Sequence, residues 1–202
     1  MKTIIIGAGG FGQEIFAILK GFTNVANNTF LGFLDDNLSI DGVIGPIEGH
    51  KIITDAQYVC AIGNAQTKLK ICQDFLSKGA DFPTLIHSSV NMASTASFGR
   101  GTIISPGCYI AHNATFGDFV LINANSVIGH DATVGDGSTI CPNCTLAGHV
   151  VFRKRVFMGS NAAVYPGKTI GDDVTIGMGS AVTRNFLTPT TVMGVPAKRI
   201  VF

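Results

Sequence analysis

From Ile86 onward, an apolar residue recurs at every sixth position of the chain, and this repeat constrains the fold more than any other feature. Six residues do not fit the 3.6-residue period of an α-helix, and they leave no room for two strands and a turn. The repeat therefore predicts a parallel β-helix, in which a short strand and a corner alternate. The series has seventeen members without an insertion or deletion: Ile86, Met92, Phe98, Ile104, Ile110, Phe116, Ile122, Ile128, Val134, Ile140, Leu146, Phe152, Met158, Val164, Ile170, Ile176 and Val182.

A second series lies four positions after the first and consists mostly of small or β-branched residues, such as Thr102, Ala114 and Ser126. Gly, Asn and Asp crowd the positions between the two series, as corners with a left-handed backbone require. Three units of six residues form one triangular coil of eighteen residues. We therefore expect a β-helical domain over residues 85–202, with both series inside it.

The residues ahead of the repeat predict a small α/β domain over residues 1–84. A buried strand, Lys2–Ile6, leads into the glycine-rich segment Gly7–Gly12, which has the GxGxxG spacing and is followed by a helical pattern. Asp35 and Asp36 follow the next predicted strand, where a carboxylate suits a ribose hydroxyl. The glycines allow a phosphate to approach the start of the helix, although a purely structural role in a tight turn is also open.

The length of this first domain favours a mononucleotide ligand over a dinucleotide. Only about 85 residues precede the repeats, roughly half of a full dinucleotide-binding fold. We therefore expect a half-Rossmann domain that holds one nucleotide with its diphosphate, rather than NAD. A last strand, Phe82–Ile86, is predicted to lead into the β-helix.

Composition excludes several classes of function. A net charge of +1 gives no electrostatic footprint for nucleic acid. No apolar run approaches the roughly 18 residues of a membrane-spanning helix, and the N-terminus is no signal peptide. We therefore expect a cytoplasmic protein with no nucleic-acid partner. The five cysteines are expected to be free thiols, and Cys141 and Cys144 form a CxxC without a second pair that would indicate zinc.

His130 is the strongest candidate for a general base among five histidines. It lies two residues after the inward Ile128, near a corner from which its side chain can project. Asp131 follows directly and would orient the imidazole and favour its protonated form. The alternative is a solvated corner histidine. His112, eighteen residues earlier, is expected on the same side of the β-helix one coil below.

Histidine spacing argues against a catalytic metal. A zinc site of the carbonic-anhydrase type on this fold needs three histidines, two of them five residues apart. The spacings here are 18 between His112 and His130 and 19 between His130 and His149. We therefore predict no metal.

The hexapeptide pattern, the half-Rossmann module and the tail Gly194-Val195-Pro196-Ala197-Lys198 together resemble one family. This is the family of sialic acid and nucleotide-sugar acetyltransferases among the left-handed β-helix acyltransferases. Its closest branch is that of the UDP-4-amino-sugar N-acetyltransferases. The resemblance implies a left-handed β-helix, a homotrimer with active sites at the subunit interfaces, and acetyl-CoA as co-substrate between two subunits.

The resemblance also implies roles for individual residues. His130 matches the general base, Asp131 its acidic partner, and Gly148 the residue whose backbone N–H meets the oxyanion. The implied substrate contacts are Gly9, Gly10, Phe11, Asp35, Asp36, Gly63 and Asn123. The implied acetyl-CoA contacts are Thr139, Ser160, Met178 and Lys198.

The expected function is transfer of an acetyl group to the 4-amino group of a nucleotide-linked deoxysugar in bacterial surface-glycan synthesis. The amine would attack the thioester directly, because no cysteine lies in the matching position. O-acetylation of sialic acid or another glycan sugar remains an alternative on the same fold. A non-catalytic nucleotide-binding scaffold is a further alternative from another class.

Overall fold

A computed structural model describes residues 1–200 of the chain. The chain separates into two compact units, of which the first is Met1–Leu85 and the second begins at Ile86. In the described residues, neither helix is long and apolar enough to cross a membrane.

The N-terminal unit is a parallel sheet with two helices and a short 3-10 turn at Leu19–Gly21. The sheet order is β3-β2-β1-β4. The side chains of Ile4, Ile5 and Ile6 in β1 are fully buried, so the central strand forms the core of this unit. The elements are β1 (Lys2–Ile6), α1 (Gly10–Ile18), β2 (Thr29–Leu34), β3 (Val43–Gly45), β4 (Ala56–Cys60) and α2 (Ala65–Ser77).

Two details of this unit differ from expectation. The predicted strand Phe82–Ile86 is wrong except for its last two residues, Leu85–Ile86, which form β5. Pro83 lies inside the predicted range and lacks the N–H that a ladder needs. The short strand β3 has no counterpart among the predicted strands, and it adds to the sheet beside β2.

The second unit is built almost wholly from strands of two residues that pair in parallel with the strand one coil away. These strands are β6 (Asn91–Met92), β7 (Ser97–Phe98), β8 (Ile103–Ile104), β9 (Tyr109–Ile110), β10 (Thr115–Phe116), β11 (Leu121–Ile122), β12 (Val127–Ile128), β13 (Thr133–Val134), β14 (Thr139–Ile140), β15 (Thr145–Leu146), β16 (Val151–Phe152), β17 (Phe157–Met158), β18 (Ala163–Val164), β19 (Thr169–Ile170), β20 (Val174–Ile176), β21 (Ala181–Val182), β22 (Thr190–Met193) and β23 (Lys198–Arg199).

The strands form the three faces of a prism. The first face has the order β6-β9-β12-β15-β18-β21, the second β7-β10-β13-β16-β19, and the third contains β8-β11-β14-β17-β20-β22-β23. β22 and β23 pair antiparallel, where the chain folds back on itself. The prediction of an α/β half-Rossmann domain followed by a left-handed parallel β-helix is confirmed.

The six-residue series fills the prism from Ile104 to Val182, with every member buried. The first coil differs, because Ile86 and Phe98 are only partly buried and Met92 is 45% exposed. Within residues 1–200, no coil lies beneath the first one to cover it. The expectation that Met92 is an interior residue is therefore wrong.

The small polar members of the second series are buried without losing their hydrogen bonds. Ser126 and Ser138 donate through Oγ to the carbonyl oxygens of Cys141 and Arg153, fifteen residues further along. Cys144 donates its Sγ–H in the same way to Gly159. Buried hydroxyls and thiols thus bond to the carbonyls of the next corner, which keeps successive coils in register.

The corners hold residues in the left-handed backbone region. Asn113, Asp131 and His149 have φ angles of 56°, 56° and 57°, at equivalent positions of three successive coils. Asparagine and aspartate tolerate this conformation better than most residues. Their repetition stacks equivalent side chains directly above one another.

Candidate active site

The candidate base lies on one edge of the prism, where the first face turns into the second. We call this the histidine edge and define it as residues 129–132 and 147–150. The two stretches are successive coils, because the N–H of His149 donates to the carbonyl of His130 at 2.9 Å. His130 is therefore below Gly148 and Asp131 below His149, eighteen residues apart in each case.

His130 and Asp131 form a direct pair on this edge. Nδ1 of His130 lies 2.8 Å from Oδ2 of Asp131, and Asn113 donates to the other carboxylate oxygen at 3.2 Å. The hydrogen bond from His130, followed by that from Asn113, lowers the pKa of Asp131 below its usual value. An ionised carboxylate only accepts, so Nδ1 carries the proton and Nε2 of a neutral imidazole keeps its lone pair.

Gly148 lies against the free end of that imidazole. A Cβ at this position would lie 2.5 Å from Nε2 of His130. Real Cβ atoms do not approach other atoms so closely. With the His130 ring in this position, residue 148 therefore has to be glycine. The predicted base and the predicted oxyanion donor are thus brought together, and the backbone of Gly148 lies beside the atom that would accept a proton.

His149 also belongs to this cluster, although sequence reasoning gave it no defined role. Its Nε2 lies 3.9 Å from Oδ2 of Asp131, and its ring meets that of His130 edge-on with centroids 4.9 Å apart. The signal was present in the sequence, since His149 follows Asp131 by one coil of eighteen residues.

His112 is one coil below His130, as expected, but bonds elsewhere. Its Nδ1 lies 3.0 Å from Oγ1 of Thr95, and its carbonyl accepts from the N–H of Asp131 at 2.9 Å. Its backbone thus supports the histidine edge from below, while its ring bonds toward the preceding coil.

The predicted nucleotide contacts meet at one edge of the N-terminal sheet. Gly9 caps α1 and, with Gly10, is exposed, so the first helical N–H groups face outward without a side-chain cap. Phe11 is half-buried in the first turn. Gly63 follows β4 and is exposed as well. The carboxyl ends of parallel strands are where nucleotides bind in sheets of this kind.

The two aspartates at this edge hold loops in place. Asp35 accepts the N–H of Ala8 at 2.8 Å through Oδ2 and that of Asn37 at 2.9 Å through Oδ1. Asp36 accepts the N–H of Ile47 at 3.0 Å. Asp35 therefore ties the glycine-rich loop to the end of β2, and each carboxylate retains lone pairs for a further donor.

The predicted acetyl-CoA contacts lie away from His130 within one chain. Ser160 and Met178 lie on the edge where the third face turns into the first, which we call the Ser160 edge (residues 123–126, 141–144, 159–162 and 177–180). The predicted substrate contact Asn123 lies on the same edge. Thr139 is buried in β14 on the third face, and Lys198 is exposed in β23. The Ser160 edge and the histidine edge border the first face on its two sides.

Family models match both units of the chain. The PglD N-terminal domain matches residues 2–75. The bacterial transferase hexapeptide of six repeats matches residues 113–148, and the hexapeptide repeat of succinyl-transferase matches residues 154–184. No curated protein matches the chain.

Solved structures match the chain over its whole length. The acetyltransferase domain of PglB from Neisseria gonorrhoeae is 25% identical, with a TM-score of 0.92, and the match covers 98% of this chain and 99% of that one. PerB from Caulobacter crescentus, solved with CoA and GDP-perosamine, is 27% identical with a TM-score of 0.91, and the match covers 100% and 98%. WeeI from Acinetobacter baumannii, at 22% identity and a TM-score of 0.88 over 99% and 100%, shares the fold.

The order of the matched domains is that of the predicted fold. A PglD N-terminal domain precedes the hexapeptide repeats, as the sequence motifs indicate. The chain thus combines a PglD N-terminal domain with bacterial transferase hexapeptide repeats, and it is an acyltransferase.

Proposed function

We propose that the chain transfers the acetyl group of acetyl-CoA to the 4-amino group of a nucleotide-linked deoxysugar. The observation that carries the proposal is the histidine edge, where a base, its carboxylate partner and a backbone amide lie together. PerB, which is 27% identical over the whole chain, was solved with CoA and GDP-perosamine. An acetyltransferase domain of PglB was solved with acetyl-coenzyme A.

The chemistry follows from the geometry of the pair. Nε2 of His130 removes a proton from the attacking amine as its nitrogen bonds to the thioester carbonyl carbon. Asp131 accepts the Nδ1 proton in a hydrogen bond throughout and stabilises the imidazolium that forms. The carbonyl oxygen becomes an oxyanion, for which the backbone N–H of Gly148 is the proposed donor.

The tetrahedral adduct then collapses. The carbon–sulfur bond breaks, and the imidazolium returns its proton to the departing sulfur of CoA. The products are the amide and the free thiol of CoA, and His130 is again neutral. This sequence uses no metal and no acyl-enzyme.

The N-terminal unit is the proposed site for the nucleotide. Gly9, Gly10 and Phe11 lie where the helix dipole and unpaired N–H groups of α1 favour a diphosphate. Asp35, Asp36 and Gly63 lie at the same sheet edge, where the carboxylates suit ribose hydroxyls. Asn123 is proposed to line the sugar pocket.

We propose a homotrimer because, within one chain, the histidine edge and the proposed acetyl-CoA contacts lie apart. Thr139, Ser160, Met178 and Lys198 are the proposed acetyl-CoA contacts, and none lies on the histidine edge. If the first faces of three copies point toward a common axis, the histidine edge of each copy meets the Ser160 edge of the next. We place the reaction in the bacterial cytoplasm, in surface-glycan synthesis.

The test is a substrate screen with acetyl-CoA, read by release of the CoA thiol. The chain should acetylate a 4-amino-sugar linked to UDP, dTDP or GDP. The matched control is the same nucleotide-sugar with a 4-hydroxyl group, which should give no thiol release above background. Acetylation of free sialic acid without any nucleotide would favour the O-acetyltransferase alternative. Nucleotide binding without any thiol release would favour the non-catalytic scaffold.

A further inference from the structure

The histidine edge contains one side chain, His149, that the proposed acetyl transfer does not use and that lies beside the catalytic pair. His130, Asp131 and His149 each offer one ligand atom, and these three atoms lie within 4.8 Å of one another. Asp131 is the centre, since its Oδ2 lies 2.8 Å from His130 and 3.9 Å from His149. At 3.9 Å the contact with His149 is too long for a hydrogen bond, so His149 is near the carboxylate without being bonded to it.

The ligand atoms of these three side chains favour one class of cation. Two imidazole nitrogens and one carboxylate oxygen are typical ligands of Zn²⁺ and its neighbours in the first transition row. Mg²⁺ and Ca²⁺ prefer sites built from oxygen alone. The cluster is therefore suited to a borderline divalent ion.

The distances fit such an ion after small side-chain rotations. Ligand atoms about 2.0–2.2 Å from a tetrahedral zinc ion are roughly 3.4 Å from each other. The pairs from Asp131 bracket that value, at 2.8 Å to His130 and 3.9 Å to His149. The three side chains are 58%, 37% and 65% exposed in the order His130, Asp131, His149, so they have room to rotate.

The backbone beneath these side chains is fixed. The N–H of Asp131 donates to the carbonyl of His112, and that of His149 donates to the carbonyl of His130, both at 2.9 Å. Asp131 and His149 share the left-handed corner conformation one coil apart. The frame thus presents three ligands from one side and leaves a fourth position open to water.

We propose that His130, Asp131 and His149 form a reversible binding site for Zn²⁺ that switches the transferase off. Occupied through Nδ1, the neutral imidazole of His130 carries its only proton on Nε2, and that nitrogen can no longer accept one from the amine. The predicted inhibition depends on the proposed role of His130 as the base. The predicted binding of zinc does not depend on that role.

The experiment measures zinc binding directly, on full-length chain without a histidine tag, by competition with a chromophoric chelator. The wild-type chain should bind one Zn²⁺ per chain. His149→Ala should bind at least about tenfold more weakly, because even the loss of a residue behind a ligand costs 10–100-fold in affinity. His112→Ala, which changes the histidine one coil below the histidine edge, should bind zinc as the wild type does.

Thiols are the competing zinc ligands in this chain. Cys141 is half-buried and Cys144 is buried, so Cys141→Ser is the matched control and should leave zinc binding unchanged. Loss of binding in Cys141→Ser, or equal affinity of wild type and His149→Ala, would overturn the proposal. Mg²⁺ at the same concentration should not compete.

Enzyme assays then separate the two claims. Zinc should inhibit thiol release by the wild type, and the inhibition should shift to at least about tenfold higher zinc in His149→Ala, each relative to its own metal-free rate. Removal of the ion by a chelator should restore the wild-type rate. Zinc binding that depends on His149 but leaves the rate unchanged would support the site and contradict the role of His130 as the base.

Discussion

Gly148 occupies a position where the absence of a side chain is required by its neighbour. In Gly148→Ala the new Cβ would lie 2.5 Å from Nε2 of His130, so the imidazole has to move away. We expect kcat to fall by about 10²-fold, since a displacement of about 1 Å in a catalytic group has an effect of this size. Steady-state kinetics with acetyl-CoA and the best amino-sugar substrate would measure this.

The control for this prediction is a glycine-to-alanine substitution whose new Cβ contacts no other atom. A Cβ at Gly45 has no atom within 4 Å, so Gly45→Ala should keep the wild-type kcat. Both variants should retain the thermal unfolding midpoint of the wild type within a few degrees. An unchanged kcat in Gly148→Ala would show that the position of the His130 ring is irrelevant to the rate.

Some residues of this site were easier to predict from the sequence than others. His130 and Asp131 are adjacent in sequence, so their pairing could be predicted from the motif. Gly148 and His149 meet them only through the stacking of coils, and the eighteen-residue period was needed to pair His149 with Asp131. The spacings between histidines did not show that His149 lies above Asp131, because the residue one coil below His149 is an aspartate and not a histidine.

The glycine-rich segment is the element in which structural and functional glycines can be separated. A Cβ at Gly12 would overlap the carbonyl oxygen of Gly7, whereas a Cβ at Gly10 meets no atom within 4 Å. Gly12→Ala should therefore destabilise the chain by about 1–3 kcal/mol, the usual cost of overpacking. Gly10→Ala should keep the unfolding midpoint and raise KM for the nucleotide-sugar.

Chemical denaturation and substrate titration give the two readouts. If Gly10→Ala leaves KM unchanged, the diphosphate does not approach this loop. If Gly12→Ala is as stable as the wild type, the close contact with Gly7 does not exist. Either result would count against the proposed division of roles.

The elements were predictable where the sequence repeats and less so elsewhere. Each hexapeptide from Ile104 to Val182 follows the same rule, because every coil packs on an equivalent coil. Met92 departs from it, since its strand β6 lies at the end of its face. The short strand β3 and the loss of most of Phe82–Ile86 depend on sheet neighbours and on Pro83, which a local pattern does not convey.

At the scale of the whole molecule, the proposed trimer buries the first face of the prism. Tyr109 and Val127 point outward from this face and are 48% and 40% exposed in the single chain. Val127→Asp should convert trimers to monomers, because the interface would bury an unpaired charge. It should also abolish thiol release, because the two edges of the site then no longer meet.

Light scattering coupled to size-exclusion chromatography measures the oligomeric state. Val127→Thr keeps the shape of the side chain without a charge and should remain trimeric and active. A monomeric Val127→Asp variant with the full rate would contradict the proposal that neighbouring copies complete the site.

The most direct test of the central claim is the turnover of His130→Ala with acetyl-CoA and the best nucleotide-linked amino-sugar. General base catalysis contributes about 10²–10⁴-fold, so kcat should fall by that factor while the dissociation constants of both substrates stay within about twofold of the wild type. A variant that turns over at the wild-type rate would show that His130 does not take the proton of the amine.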